Sequence, residues 1–355
     1  MKSVLSQLPT RAAALGVLSP YLAFGDGNLR TWDWDHTATL LQGDSLAAWR
    51  FLLLHHRLGR REAARLMGTG TLDALLKAGI AQANRAGISL GKVVLLNYHR
   101  RSFFTELSAD PRAMFSEDAK AIIATLPTLD YQRCLSLYSG CGIETLVLNH
   151  RAGREVVYVT PEADPRFLKA TWLLNGLEAD VRIAKEKRLG RKERFDLVLA
   201  RIPSWSLPDD LGRAMFGPGG LDGMAEIRRC FELIGHRLAT GGTACFTCIL
   251  YGGETFAACG ERLAAAAGSH GLSLDILCSS KQLLEPGIPL FNHLLGFLEH
   301  RTGRPAREIL EKLVYHFGDQ RISHAYFVRG TAAAGRRRNR GVVDLSERYY
   351  GNWSI

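Results

Sequence analysis

The chain has 355 residues, of which 46% are hydrophobic and 23% charged. This composition is typical of a folded globular protein and excludes a disordered chain, and the length allows about two domains. No apolar stretch approaches the roughly 20 residues needed to cross a bilayer. No secretory signal is visible at the N-terminus, so we expect a cytoplasmic protein without a membrane partner.

The net charge is +10, and part of it lies in residues 185–194 and 336–340. Neither run has the interleaved aromatic residues of a single-strand binder, so a solvated basic surface is favoured over a nucleic-acid site. The cysteines follow no disulfide spacing, and Cys245 and Cys248 lie in an alternating strand without a second pair to complete a zinc site. We expect buried thiols and no bound metal.

The N-terminal part reads as three helices and a hairpin. Apolar residues recur at helical spacing from residue 45, and two shorter helices are predicted over 60–67 and 71–78. Two β-like runs, 88–90 and 92–98, then predict a hairpin around Gly91. This layout resembles a winged helix.

We therefore predict that residues 1–115 form a small α+β, winged-helix-like domain. Its third helix carries Asp73 and only one lysine, Lys77, which does not favour DNA binding. We expect this domain to cover the active site or to select the substrate. A small-molecule substrate and a homodimer are both compatible with this arrangement.

Beyond residue 115 strands alternate with helices. Seven strands are predicted, over 133–138, 155–160, 181–184, 195–200, 243–250, 273–278 and 322–329. Such alternation gives a mostly parallel sheet with helices on both faces. We predict an α/β domain over 116–330 and a basic C-terminal tail over 331–355.

Three motifs in this second domain point to one chemistry. Residues 134–144 form a β-run that breaks into a turn with Gly140 and Gly142 and then enters a helix, as at a cofactor-binding turn. An apolar run over 195–205 and a Gly-Gly turn at 241–242, before another strand, follow in order.

In this order the motifs resemble class I S-adenosylmethionine (SAM) methyltransferases, which have a Rossmann-like sheet. Over about residues 45–255 the chain resembles the release-factor glutamine methyltransferase type, with Asn175-Gly-Leu and Leu221-Asp-Gly as further matches. The resemblance implies SAM as cofactor. It implies a cofactor-binding set of Ser136, Ser139, Gly140, Gly142, Thr160, Glu162, Glu186 and Trp205.

The chain departs from that family at its acidic residues. The family turn reads Asp-x-Gly-x-Gly-x-Gly, and here Ser136 and Tyr138 stand at the acidic and first glycine positions. The family's second acidic residue, which accepts the ribose hydroxyls, is replaced by Thr160, and Glu162 is the alternative acceptor.

The largest departure follows the fourth strand of the second domain. The family has Asn-Pro-Pro-Tyr there, whose Asn and proline carbonyl bind a planar nitrogen, and this chain has Arg201-Ile-Pro-Ser. Arginine offers no acceptor, so glutamine methylation is not expected. Arg201 suits a carboxylate, Ser204 offers a hydroxyl, and Tyr138 or Trp205 offers a π-face to the sulfonium cation. Arg201, Ser204 and Tyr138 are the predicted catalytic residues.

Three functions remain open at this point. The first is methyl transfer from SAM to a small carboxylate-bearing acceptor in natural-product metabolism. The second follows a looser resemblance to azetidine-2-carboxylate synthases, in which SAM is the sole substrate, its amine attacks its own Cγ, and methylthioadenosine leaves. The third is a methyltransferase-like binding module without activity, which the loss of acidic residues favours and the retained glycines disfavour.

Overall fold

The computed structural model describes residues 4–17, 31–107, 115, 117–125, 131–138, 140–148, 155–159, 165–177, 180–184, 186, 189–213, 219–335 and 341–346. A short 3-10 helix, Val4–Gln7, precedes the helices of the N-terminal part. These are α1 (Leu8–Ala14), α2 (Thr31–Leu40), α3 (Gly43–Leu53), α4 (Arg60–Met67) and α5 (Thr69–Lys77).

Two separate hairpins follow these helices, where the sequence predicted one. Strand β1 (Gln82–Asn84) pairs with β2 (Gly87–Ser89), and β3 (Val93–Tyr98) pairs with β4 (Arg101–Glu106). The second hairpin turns through His99 and Arg100, which have φ values of 48° and 61°. A two-residue turn with two left-handed residues matches the twist of antiparallel strands, so β3 pairs with the run after it and not with the run before it.

The rest of the chain builds one sheet with helices on both faces. Its strands are β5 (Arg133–Leu137), β6 (Glu155–Val159), β7 (Asp180–Ala184), β8 (Phe195–Arg201), β9 (Leu238–Gly252), β10 (Leu272–Leu283), β11 (His324–Ala334) and β12 (Gly341–Asp344). Its helices are α6 (Glu117–Thr125), α7 (Ile143–Leu148), α8 (Pro165–Leu174), α9 (Asp209–Gly212), α10 (Ala225–Arg237), α11 (Ala257–Gly268), α12 (Pro289–Thr302) and α13 (Ala306–Asp319).

The strand order is β12-β10-β11-β9-β8-β5-β6-β7, and β11 runs antiparallel to both of its neighbours. The predicted α/β class with a mostly parallel, Rossmann-like sheet is confirmed. An eighth strand joins the predicted seven, because β12 pairs in parallel with β10. It comes from the stretch expected to be only a basic tail.

Alternate strand residues pack against different helices, as the period of two requires. Cys134, Leu197 and Leu199 belong to the cluster that includes the N-terminal helices, α7 and α8. Leu135 and Val198 face the opposite cluster, formed with α10 and α11. All seven cysteines are buried free thiols. Within the described residues, no helix is both long and apolar enough to cross a membrane.

The N-terminal part docks on the sheet domain through the Asn175 motif. The Asn175 side-chain amide donates to the Ser102 carbonyl at 2.7 Å, and its oxygen accepts from the Ser102 amide at 3.1 Å. This reciprocal pair joins β4 to the end of α8. Asn175 therefore has a structural role in joining the two parts of the chain.

Candidate functional site

The sheet has a topological switch point between β5 and β8. From β5 the chain continues to β6 and β7 on one side and then crosses to β8 on the other. In open α/β sheets the carboxyl ends of the strands flanking such a reversal form the ligand crevice. Tyr138 directly follows β5 and Arg201 ends β8. Two predicted catalytic residues therefore flank one crevice.

The turn after β5 uses left-handed backbone at Tyr138, Gly140 and Gly142, with φ values of 58°, 53° and 76°. Such a φ is uncommon for a tyrosine and free of strain for glycine. A Cβ on Gly142 would lie 2.7 Å from Leu168 Cδ2 and 3.1 Å from Tyr158 Oη. Both neighbours are fully buried. Gly142 is therefore required for packing of the turn against β6 and α8, a reason the sequence did not indicate.

Arg201 is buried and engages the turn directly. Its Nε and Nη2 donate to the Tyr138 carbonyl at 3.2 and 3.0 Å. Nε also lies 3.0 Å from Glu144 Oε1 on α7, and Nη1 lies 3.5 Å from Asp118 Oδ1 on α6. We call Asp118, Glu144 and Arg201 the ionic cluster. This cluster joins β8, the turn and two helices. Arg201 is therefore a buried, paired residue and not an exposed surface arginine at the end of a strand.

The burial of this cluster is uneven. The side chains of Glu144 and Arg201 are 2% and 7% exposed, and that of Asp118 is 30% exposed. Burial raises the pKa of Glu144, and the Arg201 charge opposes that rise. Burial alone would lower the pKa of Arg201, but Asp118 and Glu144 outweigh it and raise the pKa. The guanidinium therefore stays charged.

The Tyr138 side chain points away from the ionic cluster, toward α10. Its hydroxyl donates to Glu226, whose other partner is Arg229 at 2.6 Å. Arg229 in turn pairs with Glu186. Burial raises the pKa of Tyr138, and nearby Cys230 and Glu226 add to the rise, so this hydroxyl is a donor at neutral pH. Two predicted residues, Tyr138 and Glu186, are thus linked through a pair that the sequence did not indicate.

The remaining predicted residues fall into two groups. Ser136 is buried inside β5 beside Tyr158 and Leu199, and the Ser204 hydroxyl accepts from the Ile249 amide at 2.8 Å. Ser204 is 3% exposed, so it ties β8 to β9 and is not open to a ligand in this arrangement. Outside the described residues lie Ser139, Thr160 and Glu162.

The segment after β8 forms a loop whose two ends are held together. The Trp205 carbonyl accepts from the Gly219 amide at 3.0 Å, and the Ser206 hydroxyl donates to the Leu221 carbonyl at 2.6 Å. His316 Nε2 of α13 lies 3.0 Å from that hydroxyl. Because the serine proton goes to Leu221, His316 must be the donor. Burial lowers the pKa of His316, which favours the neutral ring.

Helices α12 and α13, inserted between β10 and β11, hold this loop from outside. Asp210 in the loop pairs with Arg304 at 2.7 Å and with Lys312. An apolar cluster lies beneath these contacts and contains Leu207, Leu211, Tyr251, Leu290, Phe291, Leu294, Leu298, Ile309, Leu313 and Phe317, with Trp205 packed against it. The insert therefore fixes the chain that leaves the crevice.

Replacing Asp210 by Asn should remove an acid-sensitive contribution to stability. The bonds from Lys312 and Arg304 lower the pKa of Asp210 to about 2. The Asp210 carboxylate therefore contributes to the free energy of unfolding at pH values above its unfolded-state pKa of about 3.9. This contribution is lost as the pH falls through the pKa of the folded state. In urea titrations the difference in the free energy of unfolding between wild type and Asp210→Asn should shrink from pH 5 to pH 2.

The matched control for that experiment is Glu308→Gln. Glu308 contacts the same two cations, Arg304 at 3.5 Å and Lys312 at 3.4 Å, but it lies on α13 with Lys312, four residues after Arg304, and not across the loop. Asp210 is partly exposed, so the effect should be below about 1 kcal/mol. Equal effects of both substitutions at every pH would mean that the ion pair across the loop adds nothing.

A concavity lies at the amino ends of the central strands, on the side away from the switch point. It has a volume of about 310 Å³ and is lined by Tyr131, Gln132, Asp196, Leu197 and residues 240–243. The Gly241-Gly242 motif therefore lies at the amino ends of the strands, away from the switch point. In the described part of the chain no His, Cys, Asp or Glu side chains are grouped to hold a metal ion.

Sequence reasoning missed Asp118, Glu144 and Glu226. One signal was available for Glu144. Arg201 ends an otherwise apolar strand, and a buried charge must find a partner. Glu144 is the single charged residue in the helix Ile143–Leu148, which directly follows the glycine turn.

No protein-family model matches the chain, and no curated protein sequence matches it. The solved structures similar to it include residues 961–1257 of the StiE O-MT (13% identity, 62% of this chain and 74% of that chain, TM-score 0.38). They also include the [4+2]-cyclase SpnF (13% identity, 62% and 82%, TM-score 0.38) and M. jannaschii TYW2 in complex with AdoMet (12% identity, 68% and 87%, TM-score 0.38). At these values they say nothing about substrate; the strand order defines the fold.

Proposed function

We propose that this protein is a SAM-dependent enzyme of the class I methyltransferase fold that transfers a methyl group to a small molecule. The observation that carries the proposal is the β5–β8 switch point itself, where the left-handed turn of Tyr138, Gly140 and Gly142 meets the end of β8. Arg201 joins the two sides of this crevice. One fold supports many chemistries, so the site and not the fold carries this proposal.

The residues at the crevice fit such a cofactor. SAM bears positive charge on its sulfur and on its amine, and when bound it supplies an activated methyl group. The ionic cluster has two carboxylates against one guanidinium, and no described donor bonds to either Glu144 oxygen. The Glu144 carboxylate and the partly exposed Asp118 place negative charge beside the end of β8, which suits a cationic ligand.

The chain's own residues would act mainly by positioning. Arg201 fixes the Tyr138 carbonyl, and the Tyr138–Glu226–Arg229 contacts hold the other side of the turn. Methyl transfer depends on holding the acceptor in line within a site that excludes water, and such positioning can supply much of the rate.

The methyl acceptor is expected not to be a glutamine amide. Arg201 stands where the resembled family has an asparagine whose side-chain oxygen binds the amide nitrogen, and arginine has no hydrogen-bond acceptor. The expected acceptor carboxylate has less support. The Arg201 guanidinium already contacts Tyr138, Glu144 and Asp118. Arg201 therefore no longer supports a substrate that carries a carboxylate. Natural-product metabolism remains a proposal resting on the resemblance alone.

Cyclisation of SAM to azetidine-2-carboxylate is the second candidate. One observation favours it: Ser136, at the family's acidic position, is buried within β5 and supplies no carboxylate to the crevice. In the resembled family the carboxylate at this position helps to hold the amino group of SAM as an ammonium. Without it, the neutral amine of SAM is free to act as a nucleophile.

One labelling experiment separates these functions. The protein is incubated with methyl-labelled SAM, first alone and then with panels of phenols, amines and hydroxy acids. Methyl transfer predicts label in an acceptor and S-adenosylhomocysteine as by-product. Label that stays in methylthioadenosine without any acceptor would support cyclisation, and no turnover together with no SAM binding would contradict both.

A further inference from the structure

The N-terminal part carries a patch of exposed arginines that the proposed function does not use. Residues 56–61 lie between α3 and the first turn of α4, and residues 82–87 include the turn between β1 and β2. The two segments contain no Asp or Glu. They contain four arginines, all of them exposed, which we call the arginine patch: Arg57, Arg60, Arg61 and Arg85.

Backbone pairing brings these two segments together. Leu58 and Ile88 form an antiparallel bridge, in which the Leu58 amide donates at 3.0 Å and the Ile88 amide donates in return at 2.9 Å. A Cβ on Gly87 would lie 3.8 Å from Arg57 Cβ. Helix α4 also packs against β2. The turn of the first hairpin therefore lies beside the start of α4, and the four arginines share one surface.

Most of the positive charge in the arginine patch is uncompensated. Arg60 pairs with Asp73 of α5 at 3.1 Å. The other three guanidinium groups have no ion-pair partner among the described residues, and they belong to Arg57, Arg61 and Arg85. An exposed surface with three free guanidinium groups attracts anions, and it does so over about a Debye length.

The start of α4 places two of these charges where the helix itself does not favour them. Arg60 and Arg61 lie in the first turn, at the positive end of the helix macrodipole. The acidic residue of that turn does not offset them, because Glu62 acts on Arg65, whose pKa is raised chiefly by Asp44 and further by Glu62. A local arrangement that works against the helix indicates that these arginines serve another purpose.

The composition of the surface distinguishes between classes of anionic partner. Among the described residues, none of the large exposed apolar side chains lies in segments 56–61 or 82–87. Protein interfaces have apolar or aromatic side chains at their centre, and membrane-surface helices have an apolar face. Binders of single strands use aromatic residues to stack bases. A nucleic-acid duplex needs neither, because guanidinium groups bind its phosphate oxygens directly.

We propose that the arginine patch binds the phosphate backbone of a nucleic-acid duplex without reading its sequence. The third helix of this domain, whose few basic residues do not favour DNA binding, is not required, because the bridge between Leu58 and Ile88 assembles the patch beside it. This inference goes beyond the proposed function and does not depend on it. It uses no residue of the ionic cluster or of the turn after β5.

Fluorescence anisotropy of the full chain with a labelled DNA duplex of about 20 base pairs tests this assignment. Each phosphate contact contributes a slope of about −0.9 to log affinity against log salt, so three free arginines predict a loss of about 40-fold between about 50 and 200 mM salt. The triple variant Arg57→Gln, Arg61→Gln, Arg85→Gln should bind roughly tenfold or more weakly at the lower salt and lose most of the salt dependence. Its thermal midpoint should not change, because all three side chains are exposed.

The control variant removes the same amount of charge from another exposed basic run, by Arg191→Gln, Lys192→Gln and Arg194→Gln. It should bind the duplex as the wild type does. Equal weakening by the two triple variants would mean that net charge alone attracts the duplex, and it would overturn the assignment. Two other results would also overturn it: no wild-type binding at the lower salt, or tighter binding to vesicles of anionic lipid than to the duplex.

Discussion

Arg201→Met is expected to lower the free energy of unfolding by about 3–5 kcal/mol, because it leaves the buried Glu144 carboxylate without a compensating charge. Replacing both partners, Arg201→Met with Glu144→Met, should restore most of that loss, since an apolar pair of similar volume is often neutral. Chemical denaturation of the single and double variants measures both effects. Arg307→Met, which removes an exposed arginine paired with Glu311, should cost less than about 1 kcal/mol.

The pH dependence gives an independent check on Arg201→Met. Burial already raises the pKa of Glu144, and losing Arg201 raises it further. A carboxyl group whose folded pKa is raised binds more protons in the folded state, so the variant loses stability as pH rises above the unfolded value of about 4.3. The deficit should therefore be smallest near pH 4. A deficit that does not vary with pH would contradict the role given to Glu144.

Gly142→Ala should destabilise the fold by about 2–5 kcal/mol. A side chain at φ 76° costs roughly 1–2 kcal/mol, and the new Cβ, 2.7 Å from Leu168 Cδ2, adds about 1–3 kcal/mol of overpacking. Urea titration measures the sum. Leu168 is completely buried, so the clash is not relieved by a small side-chain movement.

Gly241→Ala is the matched control for this substitution. Gly241 has φ 78°, nearly the same backbone, but a Cβ there would meet no atom within 4 Å. It should therefore show only the backbone cost of roughly 1–2 kcal/mol. Equal losses at the two positions would mean that packing adds nothing at Gly142. Gly142→Ala then reports on the fold as well as on ligand binding, so binding data on that variant alone are not sufficient.

Sequence patterns predicted the class of the sheet well because the strands are apolar runs between helical segments, and the switch point follows from strand order. They predicted the partners of Arg201 poorly. Asp118 and Arg201 are far apart in the chain and meet only because α6 packs over the end of β8. The pairing of β3 with β4 was missed for a local reason: the turn at His99 and Arg100 contains no glycine, the usual signal of a tight hairpin.

The strand β12 shows a further limit of sequence patterns. Gly341–Asp344 is short and has exposed residues on both faces, so it carries no alternation of apolar and polar residues. Its pairing with β10 depends on backbone hydrogen bonding along a sheet edge, which composition does not reveal. The glycines at 140 and 142 were identified as a turn, but the reason for Gly142 needed the position of Leu168.

Hydrogen exchange with and without S-adenosylhomocysteine tests most directly whether the crevice between β5 and β8 is the cofactor site. We expect added protection in peptides covering residues 134–146 and 201–207. We expect no change at residues 240–243, which line the concavity at the amino ends of the strands. Protection confined to residues 240–243, or no protection anywhere at saturating ligand, would contradict the account.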